Sequence, residues 1–411
     1  MRYKFLLIFV AFILTLTSLH AQPLIKGNVR DKATNVPLQY ATIRVLDRNQ
    51  GVMANENGDF VLNSINLPVK VQVSFIGYTT QVVDLITSNM TIFLEVSETQ
   101  LLDIEIFPKD YLIIFLKKVY NKANKMNKIK FISNAFYRQY VTDDARRLLN
   151  YTEAFYKTNT VYGGIKELKM TKGRYAIRED FDPNFVSLID GNTFDTIGTR
   201  FFLFPKTIYV IYPPIGRDSY QYYEYKLGKR YTENGLKLQE ILFQPKTGSR
   251  FNANGKLVVN EETFAVHYYE GVDYFNSPLG WKIQREAKVY LRDLGNGSIV
   301  MDKIILEEKI DNTAKGTIYK TSFFYMIDHT LGEFNSSTMD KWTREGTNNF
   351  FSKFHLSNRD RINRLDYNPD FWRNNPIIAR TPLEEGVIAE FERTGAFGNL
   401  LPATNGGNGN Q

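Results

Sequence analysis

The sequence has no cysteine. That excludes a disulfide framework, thiolate metal sites, a cysteine nucleophile and the lipid-bearing cysteine of an anchored lipoprotein. Histidine is nearly as scarce: His20, His267, His329 and His355 are the four in 411 residues, and they form neither H-E-x-x-H nor H-x-H spacing. No metal and no other cofactor is expected. G-x-S-x-G, S-x-x-K, P-loop and G-x-G-x-x-G signatures are also missing, so no catalytic residue is assigned. Acidic doublets occur at Asp143-Asp144, Glu261-Glu262, Glu307-Glu308 and Glu384-Glu385. A glycosidase needs two carboxyls facing each other roughly 5 to 10 Å apart, whereas neighbours on a strand point to opposite faces. Acids from separate strands can still converge, which keeps an envelope hydrolase as the alternative to a non-catalytic protein.

Long apolar runs are missing beyond the first 22 residues, and a spanning helix needs about 20. Within those 22, Met1-Arg2-Tyr3-Lys4 is basic, 5–16 is apolar and Thr17-Ser18-Leu19-His20-Ala21 is a short polar end. This reads as a secretory signal peptide cleaved after Ala21. Losing Arg2 and Lys4 takes the formal charge from +7 to about +5. Charge of that size suits anionic envelope surfaces or glycans. An exported protein rarely meets nucleic acid, so that partner is disfavoured, and membrane association is expected to be peripheral at most.

From Gly27 to Ile106 short period-two runs alternate with Gly, Asn, Asp and Pro, the pattern of a small antiparallel sandwich. Gly27, Val29 and Asp31 are followed by Pro37-Leu38, then Asn55, Gly58 and Phe60, then Ser74-Phe75-Ile76-Gly77-Tyr78. In that order these residues resemble the carboxypeptidase-like regulatory domain, the transthyretin-like sandwich common near the N-terminus of exported Bacteroidota proteins. Tyr40-Ala41 stands where that family usually carries Gly-Val. The resemblance covers about a fifth of the chain and implies a fold whose members are non-catalytic.

Further on, Leu112, Phe115, Leu116, Val119, Ala123 and Met126 recur at helical spacing with lysines off the stripe, which predicts a connecting helix over 108–128 opened by Pro108. A narrow stripe without Trp favours packing on the next domain over lying on a membrane. Residues 129–330 read as one antiparallel β domain, with strands around 236–243, 287–292, 299–308 and 317–323 and a turn at Gly295-Asn296-Gly297. Lys, Arg and Glu fall too often on the alternate faces for a transmembrane barrel receptor. Gly255 to Val266, a strand-turn-strand through Asn260, Glu262, Thr263 and Ala265, resembles a hairpin of lipoprotein-carrier half-barrels. That resemblance implies a sheet curled around an apolar groove; an ordinary sheet covered by helices is the alternative. Tyr367 to Glu385 resembles the closing segment of an uncharacterised envelope family, and Thr381, Pro382, Glu384 and Glu385 predict a capped terminal helix.

The expected fold is therefore mainly β. Its parts are a signal peptide (1–22), a transthyretin- or immunoglobulin-like sandwich (23–107), the helix (108–128), a large antiparallel and either flat or half-barrel domain (129–330), a mixed helical cover (331–400) and a disordered tail (401–411). Aromatics make up 14% of the chain and crowd at 201–204, 209–212 and 220–225. Phe202, Phe204, Tyr209, Tyr212 and Tyr222 are thus candidate ligand-binding residues, against the plainer reading that they form core and rim. Asp195-Thr196-Ile197 resembles the O-glycosylation sequon of exported Bacteroidota proteins, at Thr196. The expected role is a cell-envelope binding or accessory protein, in the periplasm or at the outer membrane. Its β domain would hold a lipid or other apolar ligand, a glycan, or a partner protein.

Overall fold

The computed structural model describes residues 24–48, 50–63, 65–97, 100–101, 110–177, 214–249, 253–276, 281–295, 297–312, 316–333, 361–395 and 397. The expected signal peptide and the tail lie outside them. The chain is mainly β. Its N-terminal sandwich holds β1 (Leu24–Asp31), β4 (Asp59–Asn63) and β7 (Met90–Leu94) in one sheet. The other sheet holds β2 (Thr42–Val45), β3 (Gln50–Met53), β5 (Val69–Ser74) and β6 (Gln81–Leu85). Ile25, Val29, Ile43, Phe60, Val73 and Leu94 fill the space between.

The motif residues have local work. Asn55 Oδ1 accepts from the Asn57 and Asp59 amides, both at 2.9 Å, folding the turn over Gly58. Gly58 has φ +77, and a Cβ there would stand 2.5 Å from the Val29 carbonyl. A Cβ on Gly27 would strike the Phe60 ring at 2.3 Å. The backbone of Leu38, after Pro37, donates to Val29 O at 2.9 Å. Asp31 accepts from the Tyr78 hydroxyl at 2.6 Å and from the amides of Ala33 and Thr34. The Tyr78 bond, then those amides, hold its carboxyl down to about 2. Gly77, φ +81, ends the phrase.

The third sheet has twelve strands. Along it run β11 (Gly164–Ile177), β10 (Leu148–Val161), β9 (Phe131–Asp143), β18 (Gly316–Met326), β17 (Ile299–Asn312), β16 (Trp281–Asp293), β15 (Val266–Asn276), β14 (Asn254–Asn260), β13 (Leu236–Pro245), β12 (Tyr223–Glu233) and β8 (Gln100–Leu101). A short β19 (Thr330–Leu331) also pairs with β9. Its two ends do not pair, so it is not a closed barrel.

It is nevertheless strongly curled. The helix α1 (Tyr111–Met126) buries Phe115, Leu116, Val119, Ala123 and Met126 in one apolar cluster with side chains from β11 at one side and Tyr223 of β12 at the other. Flat, those two strands would lie about 43 Å apart, while the helix is only about 24 Å long and about 10 Å across. Register shifts at Phe155/Tyr156, Asn159/Thr160, Val258/Val259 and Tyr290/Leu291 supply the bends. Tyr162, at the β10–β11 turn, closes the curl. Its hydroxyl donates to Val266 O at 3.0 Å and accepts from Val266 N at 2.5 Å, five strands away. The helix thus fills this end of the sheet's inner face. It starts at Tyr111 after Asp110; Pro108 lies outside the described residues.

The sandwich sits on the outer face. Arg44 pairs with Asp302 and also reaches Ile327 O at 3.4 Å. Lys303 Nζ donates to Thr42 Oγ1 at 3.1 Å and to Tyr40 O. Gly51 has no side chain because Tyr325 Oη is 2.4 Å from where its Cβ would be. A second contact joins Gly77 N to Glu233 Oε1 at 3.3 Å and Thr80 N to Asn234 Oδ1 at 2.9 Å, on the β12–β13 turn.

Two outcomes follow. Tyr162→Phe removes both bonds of the clasp and is expected to cost about 1–3 kcal/mol in urea unfolding; an unchanged midpoint would show that the curl does not need it. Lys303 is lowered to about 8 by burial, against the pull of Asp302. Between about pH 8 and 10 the unfolded chain keeps this proton and the folded one does not, so stability rises with pH there. Lys303→Met should remove that rise.

Candidate functional site

Most of the aromatics singled out in the sequence, Phe202, Phe204, Tyr209 and Tyr212, lie outside the described residues, as does Thr196. Tyr222 is half-buried at the margin of the cluster beneath α1, so it supports core. Of the acidic doublets only Glu307-Glu308 lies wholly on a strand, and it splits as alternation requires. Glu308 pairs inward with Arg285 at 3.1 Å and Lys320 at 3.7 Å, while Glu307 faces outward to Lys288 at 3.7 Å. His329 Nδ1 is 2.8 Å from Ser133 Oγ, and burial lowers its pKa to about 3.

The structure brings together a different set, on the outer face at β9, β10 and β11. Cross-strand register puts Arg138 opposite Glu153 and Glu153 opposite Arg174. Arg138 gives Nε and Nη2 to Glu153 Oε1 at 3.0 and 2.9 Å; Arg174 gives Nε to Oε2 at 2.8 Å; Tyr151 adds its hydroxyl at 2.8 Å. All are buried. Burial alone would raise the Glu153 pKa, but Arg174 and then Arg138 hold it well below the carboxylate range.

Each arginine also reaches out to the C-terminal cover, which contains α2 (Pro369–Asn374) and α3 (Pro382–Thr394). Arg138 Nη2 donates to Ile378 O at 2.8 Å, and its Nη1 lies 3.5 Å from Glu384. Arg174 pairs with Glu392 at 3.2 Å and sits between Trp372 and Phe397, 4.6 and 5.0 Å from the ring centroids. The helix α3 is capped as its sequence predicts: Thr381 Oγ1 accepts from Glu384 N at 3.2 Å and Glu384 Oε2 from Thr381 N at 2.8 Å.

Between α3, the outer face and the sandwich remains a cleft of about 550 Å³. One wall is aromatic: Tyr40 of the sandwich lies 4.9 Å from Phe323 of β18, and Tyr140 of β9 lies 6.1 Å from the same ring. Val387, Phe391 and Gly386 of α3 face them, with Ile378 and Arg138 also lining the cleft. Glu56, from the sandwich turn, and Arg146 also line it. Burial pushes Tyr140 up to about 12, with Glu56, Glu384 and Glu307 adding to the rise. Burial and then Glu384 raise Glu56.

Sequence reasoning named Asn55, Thr381 and Glu384 for the turn and the helix cap but did not join them into one site, because the residues of the cleft come from parts of the chain far apart. Gly386, a glycine inside a predicted helix, was a further local signal.

Against known proteins, the model of the CarboxypepD_reg-like domain matches residues 25–105. This accords with the sandwich motifs. No curated protein matches the chain. Among solved structures, a LolA superfamily protein from Nitrosomonas europaea is 14% identical, with TM-score 0.25, over 55% of this chain and 97% of that one. A domain described as an outer membrane lipoprotein-sorting protein, from Vibrio parahaemolyticus, is 9% identical, with TM-score 0.23, over 56% and 100%. A membrane-associated protein of unknown function from Bacteroides fragilis is 10% identical, with TM-score 0.16, over 75% and 96%. At such scores these likenesses carry no weight for any residue of the cleft.

Glu153→Gln leaves two buried guanidinium groups without their shared carboxylate and is expected to cost about 3–5 kcal/mol in chemical unfolding. A cost below about 1 kcal/mol would mean the cover is held by its apolar contacts alone.

Proposed function

We propose that this chain is a non-catalytic binding protein of the cell envelope and that its ligand occupies the cleft between sandwich, sheet and α3. The envelope assignment rests on the leader-like N-terminus and the CarboxypepD_reg-like domain.

The observation that carries the binding reading is Gly386. A glycine in a helix interior costs about 1 kcal/mol relative to alanine. Close packing does not require it: a Cβ at Gly386 would meet nothing within 4 Å. It lies on the wall of the cleft. What the missing side chain preserves is therefore open space rather than contact, as in ligand sites that are largely pre-formed.

A hydrolase is the second reading, because Glu56 and Glu384 line one cleft. Glu384 is poorly suited to that chemistry. One of its oxygens closes the capping box and the other lies against Arg138. An acid so engaged is neither free to donate a proton nor free to attack.

The test is to purify the protein from envelope fractions and measure what leaves with it by mass spectrometry. Gly386→Ala should retain the ligand and gain about 0.5–1 kcal/mol of stability. Gly386→Trp should fold and come away empty. A ligand held equally by the Trp variant, or a native protein that carries none, would remove this reading.

A further inference from the structure

The cleft's charge is uneven, and each basic group on its lining already has a partner. Arg138 is bound to Glu153, Arg147 to Asp143 at 2.7 Å, and Arg146 lies over the Tyr319 ring at 5.0 Å. Glu390, at the far end of the helix wall, is paired with Arg393 at 2.7 Å. Glu56 differs. It is exposed, its side chain takes no part in the turn that Asn55 folds, and it makes no hydrogen bond or ion pair among the described residues. Glu56, Glu384 and Glu307, which faces outward on β17, all act on the tyrosines Tyr40 and Tyr140 in the same sense, raising both. Those tyrosines and Phe323 line the same space, and each tyrosine ring is tilted against that of Phe323. Aromatic faces attract cations through their quadrupole, and a carboxylate beside them adds to that field.

We infer that the cleft selects a ligand bearing an organic cation, an amine or quaternary ammonium on an apolar body, with the charge held beside Glu56 against the Tyr40–Phe323–Tyr140 wall. The body then lies along Val387, Phe391 and Leu148, which line the rest of the cleft. This rests on the binding reading above and deepens it. An anionic head is disfavoured by the same arrangement: the guanidinium groups there are neutralised or stacked, while the free carboxylate would repel it.

Three probes of equal chain length separate the possibilities: octyltrimethylammonium, octanoate and 1-octanol, titrated calorimetrically into the full protein. The cation should bind about tenfold tighter than the alcohol, and octanoate weakest. Glu56→Gln, at an exposed position outside the turn's hydrogen bonds, should cut cation affinity about fivefold to tenfold and leave the alcohol within about twofold. Gly386→Trp should block all three. Octanoate binding tightest and weakening in Arg146→Gln would overturn the proposal in favour of an anion. Equal affinity for cation and alcohol would overturn it in favour of an uncharged apolar ligand while sparing the cleft. Cation binding untouched by both Glu56→Gln and Gly386→Trp would place it elsewhere and overturn this proposal, leaving the cleft to the co-purification test. No binding of any probe would overturn the amphiphilic cation alone, since the co-purified ligand tests the cleft independently.

Discussion

Glu153 is the point on which the outer face depends. It is a carboxylate on the strand next to the sheet's edge strand, out of water, with an arginine on each neighbouring strand. Such a group is tolerated only if its charge is matched in place. A one-residue slip of β9 or β11 would turn Arg138 or Arg174 to the inner face and leave Glu153 half-paired, so the triad enforces register where alternation alone would allow error. The two arginines are themselves incompletely satisfied by one carboxylate. Their remaining donors fix where the C-terminal cover can lie: at Ile378 O, Glu384 and Glu392.

The same economy separates the two faces. Inside the curl, α1 and a dense set of tyrosines and phenylalanines take up the space, and Tyr162 ties the β10–β11 turn to β15. Towards the other end of that inner face, Asp273, Arg285, Glu308 and Lys320 run as an alternating row across four strands. Outside, the pieces that cover the sheet are two separate bodies, the sandwich and α3. Bodies that meet a curved surface from two directions leave a gap at their junction. That gap is the cleft.

Local grammar was the legible part of the sequence. The Asn55–Gly58 turn, the stripe of α1, the strands either side of Asn260 and of Gly295–Gly297, and the Thr381 capping box are all set by residues within a few positions of one another, and all formed. The strand read from 299 to 308 continues to Asn312, since nothing in the sequence stops it earlier. Pairing at long range was not legible. The contact of β9 with β18 spans almost the whole β domain, and no alternation pattern says which of several similar strands will be neighbours. The cleft depends on exactly that pairing, which sets Phe323 beside Tyr140. Sequence crowding of aromatics pointed instead to 201–225, where the only described candidate, Tyr222, packs on the core.

Because Tyr40, Asn55 and Glu56 belong to the sandwich, the cleft exists only while the sandwich is docked. Docking relies on Arg44–Asp302 and on Lys303 bonding the backbone and side chain of β2 and its approach, with Met53 N also donating to Ile377 O at 3.0 Å. Polar contacts of this kind contribute orientation more than net stability, because desolvation offsets much of their attraction. A ligand held between sandwich and α3 would bind the docked arrangement and not the undocked one, and so must stabilise it by mass action. On this argument the regulatory-type sandwich is neither a spacer nor a passive appendage. It is one wall of the cleft, and a ligand held there would link its orientation to occupancy.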